Sequence, residues 1–359
     1  MNNENNFKIN RLNKQNEMEI FYDYDYGDLI VLAKKYNWPK FRVKQLLEWQ
    51  AKSIQSTSEM TNISKDMQAI LEQEMIWPAL KIIKIERSKI EPVNKYLFEL
   101  HDGNIIETVS MHYNYGHSVC LTTQVGCKMG CSFCASAKLG FQRNLTAGEM
   151  LAQLTMIAHT EQTHVSHAVL MGIGEALDNY DQTIKFLRRL RSEHGFTLSM
   201  RNVTLSTCGL VPEIIKLADE DLPITLAISL HSAEQNTRNI LMPIAKRYPI
   251  EDIVAAADYY FTKTGRRITY EYTLFDKIND QPIHAEQLAK LLKGKSVHVN
   301  LIPANEVAES IWSRSEKGTI EKFLRILREN KINATIRYSA GQDITAACGQ
   351  LRRQNAQSS

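Results

Sequence analysis

The spacing of apolar and polar positions changes three times along the 359-residue chain. Residues 1–20 are polar and show no periodicity, which predicts a disordered tail. In residues 21–78 apolar side chains recur every three or four positions, and Leu29, Leu32 and Tyr36 share one face of a predicted helix. This segment is therefore predicted to be a small helical accessory domain.

Alternating positions follow in residues 79–115, where a His-Asp-Gly-Asn turn at 101–104 predicts a β-hairpin extension. Residues 116–345 then repeat the order strand, turn and helix. The six predicted strands lie in the segments 118–126, 167–174, 202–209, 224–231, 266–275 and 296–305. They predict an α/β fold with a parallel sheet curved into a partial (β/α)6 barrel, and an open doubly wound sheet is the alternative. Both architectures gather functional groups at the carboxyl ends of the strands.

Composition narrows the class of protein. Hydrophobic residues make up 43% of the chain, enough to build a full core. The chain has neither an apolar stretch long enough to span a bilayer nor an apolar signal core, so we expect a cytoplasmic protein without a membrane partner. The net charge of +3 is too small to indicate a nucleic-acid partner by itself. Six cysteines in a reducing compartment instead require a metal-binding or catalytic explanation.

Three of these cysteines form a CxxxCxxC run, Cys127, Cys131 and Cys134, after the first predicted barrel strand. Short loops at this spacing let three sulfurs converge on one soft metal centre. Structural zinc usually has four protein ligands, whereas three cysteines leave one metal position open for a reaction. Spacing alone leaves both a zinc site and an iron-sulfur cluster as candidates.

The second predicted barrel strand ends in Gly174 and Glu175. A glycine lets the backbone approach a ligand closely, and a carboxylate at the mouth of a barrel can accept hydrogen bonds from an ammonium group. The segment lacks the third glycine of a dinucleotide-binding fingerprint, because Leu177 stands there. On its own the segment is a weak signal, because an ordinary strand-to-helix turn is the more common reason for such a sequence.

The cysteine run, with Phe133 before its last cysteine, is similar to the signature of the radical S-adenosylmethionine (SAM) superfamily. The segments CLTTQVGCKMGCSFCAS, LMGIGEA, VTLSTCG, AISLHS, HVNLIPAN and DITAACGQL resemble the RlmN/Cfr family of radical SAM RNA adenine methyltransferases, over about residues 39–352. The resemblance implies a [4Fe-4S] cluster held by the three cysteines, with SAM on its fourth iron. It assigns SAM contacts to Gly174, Glu175, Ser206, Ser229, Leu230, His231 and Asn305.

The resemblance also implies a mechanism with two SAM molecules per turnover. The first methylates Cys348, in the predicted C-terminal tail 346–359, and the second yields a radical that activates the S-methyl group. The resulting carbon radical adds to an adenine ring and tethers the RNA to the protein. Cys120 assists proton loss and closes a disulfide with Cys348 that releases the product, and Glu107 maps onto the family's proton-accepting carboxylate.

Substrate and partners follow from the same resemblance. The segments TTQVGC, CASAKLG and NLIPAN are similar to the branch that methylates carbon 2 of adenosine in 23S rRNA and tRNA. Glu175-Ala176 instead resembles the Cfr-like branch that attacks carbon 8, so that position stays open. We expect a monomer that receives electrons from a donor such as flavodoxin or ferredoxin. Candidate RNA contacts are Lys40, Arg42, Lys44, Trp49, Lys138, Arg143, Arg352 and Arg353.

Two interpretations from other classes remain open. One is a zinc-dependent RNA-binding protein without catalysis, in which the cysteine run holds a structural ion. The other is a conventional SAM methyltransferase built on a Rossmann sheet, which would need neither a cluster nor a reductant.

Overall fold

The computed structural model describes residues 18–138, 140–191, 195–305, 307 and 310–352. In chain order the strands are β1 (Glu19–Ile20), β2 (Met75–Ile76), β3 (Leu80–Arg87), β4 (Val93–Leu100), β5 (Ile105–Tyr113), β6 (Gly116–Cys120), β7 (Gln124–Val125), β8 (Arg143–Asn144), β9 (His167–Leu170), β10 (Val203–Thr207), β11 (Thr225–Ser229), β12 (Ile268–Leu274), β13 (Val297–Pro303) and β14 (Ala334–Ile336). The α-helices are α1 (Tyr26–Lys35), α2 (Phe41–Gln50), α3 (Lys65–Glu74), α4 (Ala135–Lys138), α5 (Ala147–Thr160), α6 (Tyr180–Arg189), α7 (Val211–Ala218), α8 (Gln235–Leu241), α9 (Ile250–Thr264), α10 (Pro282–Leu292) and α11 (Lys317–Glu329).

Ten strands form one continuous sheet in the order β14-β13-β12-β11-β10-β9-β6-β5-β4-β3. From β6 to β14 every neighbouring pair is parallel, with helices in the crossovers. The sheet curves, because Arg337 after β14 places its Nη1 3.9 Å from the Sδ of Met171 after β9. In a flat sheet, strands this far apart in order would be separated by more than about 20 Å. The predicted α/β fold with a parallel partial barrel is confirmed.

The barrel has one strand more than the sequence predicted. Strand β14 covers only Ala334–Ile336 and pairs with β13 at the edge of the sheet. Three residues are too few to show an alternating or continuous apolar pattern. The strand matters because it positions the next residue, Arg337, at the open side of the barrel.

The extension before the barrel is a three-stranded antiparallel meander, β3 to β5, rather than a single hairpin. The predicted turn joins β4 to β5, and Gly103 there has a φ of +79°, which favours glycine. Strand β5 pairs with β6 in antiparallel register and places Val109 opposite Cys120. Because β6 belongs to the barrel as well, the extension and the barrel share one sheet.

The N-terminal segment contains helices α1 to α3. Helix α1 begins with a reciprocal capping box in which Asp25 and Asp28 each accept a hydrogen bond from the other's backbone amide. Glu19 and Ile20, which were predicted to belong to the tail, form strand β1 against β2, and Ile20 is buried. The rest of the predicted tail, residues 1–17, lies outside the described residues. The predicted domain boundaries stay a prediction.

This segment docks on the barrel through the first turn of α5. The Asp23 carboxylate accepts a hydrogen bond of 2.8 Å from the backbone amide of Gly148. Burial raises the pKa of Asp23 to about 6, which that hydrogen bond opposes. Within the part of the chain that the structure describes, no helix combines the length and the hydropathy that crossing a membrane requires.

The close packing at Gly148 generates a stability prediction. A Cβ at residue 148 would lie 2.4 Å from the carbonyl carbon of Tyr22, so Gly148→Ala must push the backbone of the docked segment away. We expect a loss of about 1–3 kcal/mol in the free energy of unfolding, measured by urea denaturation. Gly318→Ala in α11 is the matched control, because no heavy atom lies within 4 Å of its added Cβ. An unchanged midpoint for Gly148→Ala would contradict this close docking of the N-terminal segment on α5.

Candidate active site

A cavity opens where the barrel strands end. It is lined by side chains from the cysteine run, from the ends of successive strands and from the C-terminal segment. The lining residues with chemical groups suited to a site are Cys127, Cys131, Cys134, Met171, Gly174, Glu175, Ser206, Cys208, Ser229, His231, Glu271, Asn305, Arg337 and Cys348. The structure therefore brings together most of the site residues predicted from the sequence, and leaves Leu230, Cys120 and Glu107 outside the lining of this cavity.

The loop that carries the three cysteines is held in a tight fold. Gly126 has a φ of +78°, and a Cβ there would lie 1.8 Å from the carbonyl oxygen of Gly140, so no other residue fits. Burial raises the pKa of each thiol, that of Cys127 to about 12, and Cys134 raises the pKa of both Cys127 and Cys131 further. Thiols buried this close together become thiolates only beside compensating positive charge, which a bound metal centre supplies.

The number of cysteines in the loop bears on the kind of metal centre. A structural zinc ion usually takes four protein ligands in a closed tetrahedral site. In an iron-sulfur cluster each sulfur binds a different iron, so three cysteines from one short loop fit a cluster with one iron left open.

Arg238 supports the same interpretation. Its side chain is fully buried and donates to the carbonyl oxygens of Leu230, Cys208 and Ser229, at 3.1, 2.7 and 3.4 Å. Its Nη1 has no hydrogen-bond partner among the described residues. Burial lowers the pKa of Arg238, and the thiols of Cys208 and Cys131 oppose that shift. A buried cation needs nearby negative charge, and the cysteine sulfurs of an anionic cluster would provide it.

Gly174 and Glu175 occupy a strained turn after β9. Gly174 has a φ of +107°, and a Cβ there would lie 2.7 Å from the Cβ of Gln124. The Glu175 carboxylate accepts backbone hydrogen bonds from Leu177 at 3.1 Å and from Cys208 at 2.7 Å. Burial raises the pKa of Glu175, and these amides oppose the shift. The carboxylate is therefore fixed at the cavity wall, where an ammonium group could reach it.

The next strand ends hold three predicted residues in the cavity and a fourth behind it. The hydroxyls of Ser206 and Ser229 lie 3.4 Å apart, on neighbouring strands. The His231 Nδ1 accepts a hydrogen bond of 3.0 Å from the backbone amide of Thr273, and burial lowers the pKa of His231 to about 3. A neutral imidazole with Nδ1 accepting carries its proton on Nε2. The Leu230 side chain packs in the hydrophobic core, so only its backbone serves the site.

Asn305 connects the cavity to the C-terminal segment. Its Nδ2 donates to the carbonyl oxygen of Cys348 at 2.9 Å and to the hydroxyl of Ser339 at 2.9 Å. The backbone amide of Ala135, directly after the cysteine run, donates to the carbonyl oxygen of Gly349 at 2.8 Å. Cys348 is consequently held beside the cysteine loop, with its side chain in the cavity wall.

Cys120 lies at the end of β6 and packs against Ala346 and other buried residues of the C-terminal segment. Burial raises its pKa to about 12, Cys348 raises it further, and Arg337 lowers it. Arg337 also lies 3.8 Å from a carboxylate oxygen of Glu271, and the pKa of Arg337 is raised, first by Cys348. All described cysteines are free, so the two thiols are neighbours without a bond.

Glu107 lies on β5, on the face of the sheet that contacts the C-terminal segment. Its carboxylate pairs with the Lys95 Nζ at 3.3 Å and accepts a hydrogen bond of 2.9 Å from the backbone amide of Arg352. The sequence predicted a catalytic carboxylate here, and the structure places it behind Cys348 rather than in the cavity lining.

Three functional candidates were missed by sequence reasoning. Arg337 follows a strand too short to recognise, and Lys95 is one of many lysines in a polar hairpin. Glu271 had a usable signal, because Thr269, Glu271 and Thr273 alternate with tyrosines in β12 and therefore face the inside of the barrel.

A second group of potential metal ligands, His112, His117 and Glu161, lies outside the cavity. The two imidazole rings stack with centroids 4.1 Å apart and an interplanar angle of 16°. A ring nitrogen binds a metal in the plane of its ring, so two nearly parallel rings cannot converge on one ion. The Glu161 carboxylate also accepts hydrogen bonds from Asn94 and Tyr96. The group is a hydrogen-bonded network within the sheet.

The predicted RNA contacts separate into exposed and structural residues. Trp49 is buried, with its indole nitrogen donating to Asn62 at 2.7 Å, and Arg143 is paired with Glu149 and Asp102. These two predictions are corrected, because both side chains are used within the fold. Lys40, Lys44 and Lys138 are exposed, and Arg353 lies outside the described residues.

Comparison with known proteins agrees with this site. A sequence profile of the radical SAM superfamily matches residues 121–292. A protein of Clostridium botulinum named probable dual-specificity RNA methyltransferase RlmN is 46% identical over 336 residues, covering 94% of this chain and 97% of that protein. One of the same name from Lachnoclostridium phytofermentans is 47% identical and covers 88% of each chain. The crystal structure of a radical SAM methyltransferase from Sphaerobacter thermophilus has a TM-score of 0.90 at 40% identity, covering 93% of this chain and 99% of that one.

The barrel, the three-cysteine loop and the profile match define a radical SAM enzyme that uses a [4Fe-4S] cluster and SAM. The near full-length similarity shows more: the chain belongs to the RlmN family of radical SAM RNA methyltransferases. The family and the cofactors predicted from the sequence are confirmed. The alternatives of a zinc-dependent RNA-binding protein and of a Rossmann-fold methyltransferase no longer apply.

The cavity lining contains Cys208 as well as the three cysteines of the run. A matched pair of substitutions distinguishes a cluster ligand from this structural cysteine. Cys134→Ser should lower the iron content well below about four per chain after anaerobic reconstitution, because hydroxyl is a poor ligand for iron. Cys208→Ser should keep full iron content, since Cys208 is buried in the core and hydrogen-bonded to Glu175. Iron and sulfide analysis measures both. Iron loss from Cys208→Ser alone would contradict the assignment of the ligands.

Proposed function

We propose that this enzyme methylates carbon 2 of an adenosine in 23S rRNA and in tRNA, with Cys348 as the methyl carrier. The observation that carries the proposal is the position of Cys348, which lines the same cavity as Cys127, Cys131 and Cys134. The thiol of a separate chain segment thus lies where both cofactors of the family would bind. An RNA substrate is supported by the name of the relatives, which calls them dual-specificity RNA methyltransferases.

When bound, SAM would supply the methyl group and the radical, and the cluster would pass on the electron that an external donor provides. The chain's own residues hold the acceptor and close the reaction. Cys348 receives the methyl group on its sulfur, and that carbon is then joined to the adenine ring. The Cys120 thiolate next attacks the sulfur of Cys348, so that an S–S bond forms as the C–S bond to the RNA breaks. The freed carbon takes up a proton to complete the methyl group, and an external thiol reductant returns the Cys120–Cys348 disulfide to two thiols for the next turnover.

The environment of Cys120 suits the final step of this sequence. Because burial raises its pKa to about 12, the thiol is protonated near neutral pH in the RNA-free protein. Thiolates rather than thiols attack sulfur, so the resting protein resists a premature disulfide with Cys348. Arg337 lowers the pKa of Cys120 and provides the positive charge on which a later deprotonation depends.

Glu107 is proposed as the family's proton acceptor by resemblance alone. Its contacts with Lys95 and Arg352 place it next to the segment that carries Cys348. The choice of carbon 2 over carbon 8 is supported by the segments TTQVGC, CASAKLG and NLIPAN. Ala176 is the residue that is similar to the carbon-8 branch at this position. It packs in the hydrophobic core and does not line the cavity.

The partners follow from the same proposal. The exposed lysines 40, 44 and 138 are suited to contact RNA phosphates, since such contacts need mobile cations in solvent. An electron donor such as flavodoxin or ferredoxin is required, because the radical step consumes an electron that the chain does not hold. We also propose that the protein acts as a monomer.

Mass mapping of modified nucleosides tests the substrate and the ring position together. We expect 2-methyladenosine in 23S rRNA and in tRNA from cells that contain this protein, and its loss when the gene is deleted and no other such enzyme is present. Finding 8-methyladenosine instead would show that the enzyme methylates carbon 8 and would contradict the proposed ring position. Unchanged profiles of both RNAs would contradict the proposed function.

The two outlying cysteines give a second prediction with opposite phenotypes. Cys348→Ala removes the methyl carrier, so neither methyladenosine nor a protein-RNA adduct should form. Cys120→Ala removes the releasing thiol, so a covalent adduct should accumulate and appear as a retarded band on denaturing gels. Peptide mass spectrometry of the wild-type protein should show a methyl group on Cys348. An active Cys348→Ala variant would rule out the carrier role.

A further inference from the structure

The segment that carries Cys348 has little regular structure of its own. After β14 it forms one short 3-10 turn, Gln342–Ile344, and its backbone adopts left-handed conformations at Gly341, Thr345 and Gly349. No helix or sheet ladder fixes Cys348 in place. Its position therefore depends on contacts made by other parts of the chain.

On one side these contacts come from the barrel. Asn305 and Ala135 bind the carbonyl oxygens of Cys348 and Gly349 at 2.9 and 2.8 Å, and the Ser136 hydroxyl binds that of Leu351 at 2.7 Å. They hold the segment toward the cysteine loop. The loop between β3 and β4 binds the start of the segment, where Glu91 accepts from the amide of Gly341 at 2.6 Å and the amide of Lys89 donates to Asp343 at 3.0 Å. None of these contacts flanks Cys348 on the side of the extension.

That opposite side is occupied by a buried ion pair of the β-extension. The Lys95 Nζ donates to the Thr345 hydroxyl at 2.9 Å, three residues before Cys348, and pairs with Glu107 at 3.3 Å. Glu107 in turn accepts from the backbone amide of Arg352, four residues after Cys348. The pair thus grips the segment on both sides of the reactive cysteine.

The Lys95–Glu107 pair is buried, and burial fixes the geometry of its contacts with the 341–352 segment. The side chains of Lys95 and Glu107 are 4% and 2% exposed, and Lys95 also contacts Glu86 at 2.9 Å. Buried ion pairs contribute little net stability because desolvation offsets their attraction, but each partner must stay where the other is. Lys95 has three donors on one ammonium group, and it uses them on two carboxylates and the hydroxyl of Thr345.

We propose that Lys95, with Glu107, is a positioning residue that holds the 341–352 segment so that Cys348 can reach both the cofactor cavity and Cys120. The inference rests on the proposed role of Cys348 as methyl carrier. Lys95 does not line the cavity, and it acts through the placement of Cys348. Nothing in the family's resemblance assigned it a role.

Three variants test the proposal. Lys95→Met removes the ammonium group at similar length, Lys95→Arg keeps the positive charge, and Lys81→Met is a matched control with an exposed lysine on the adjacent strand β3. Two quantities are measured on reconstituted protein. One is the ratio of methyladenosine to 5'-deoxyadenosine formed with SAM, reductant and RNA, and the other is hydrogen exchange of the peptide 341–352 before these three are added.

For Lys95→Met we expect iron content close to that of the wild type, because the cysteine loop is untouched. The product ratio should fall about tenfold or more, since small displacements of a reacting group cost this much. Exchange of the 341–352 peptide should become faster. Lys95→Arg should recover most of the ratio, and Lys81→Met should match the wild type.

A normal product ratio and normal exchange in Lys95→Met would overturn the proposal. If that variant fails to fold, the decision passes to Thr345→Val, which removes the acceptor of Lys95 without leaving an unpaired charge. A fall of about two- to fivefold in its product ratio would support the proposal, and an unchanged ratio would overturn it. If the wild type itself forms neither methyl-Cys348 nor methyladenosine, the proposed function fails instead.

Discussion

Strand β6 is the part of the molecule on which the site depends. It pairs in antiparallel register with β5 of the extension and in parallel register with β9 of the barrel. The antiparallel part and the parallel part of the ten-stranded sheet are thereby joined through one short strand. Because β6 ends at Cys120, that thiol lies where the barrel interior meets the extension.

This shared strand explains why chemistry is divided between two regions. The barrel gathers the cysteine run and the strand-end residues at one rim, as parallel strands require. The extension has no access to that rim, but its face carries Glu107 and Lys95 against the C-terminal segment. Cys348 lies between the two regions and is bound from both. A barrel without the extension would keep the residues that suit the cofactors and would bind the segment of Cys348, the proposed methyl carrier, from one side only.

Much of this arrangement could be predicted from the sequence, since it is encoded in local patterns. The six long barrel strands have continuous apolar runs, and the cysteine spacing and Gly174-Glu175 come directly after two of them. Strand β14 could not be predicted, because three residues carry no periodicity. The burial of Trp49 and the pairing of Arg143 depend on Asn62 and Glu149, which are distant in sequence or in another element. Tertiary contacts, not composition, decided these cases.

The contacts of Glu107 also could not be predicted from the sequence, because they depend on residues far away in the chain. A carboxylate in an alternating strand is usually exposed, and resemblance alone suggested a proton acceptor. In the structure one oxygen faces Lys95 and the other accepts from the amide of Arg352, so both oxygens of the carboxylate are already engaged. To accept a proton, it would have to give up the contacts that place Cys348. A proton on Glu107 would weaken its hold on both Lys95 and the backbone just beyond Cys348, so the proposed proton acceptance and the proposed positioning of Cys348 depend on the same contacts.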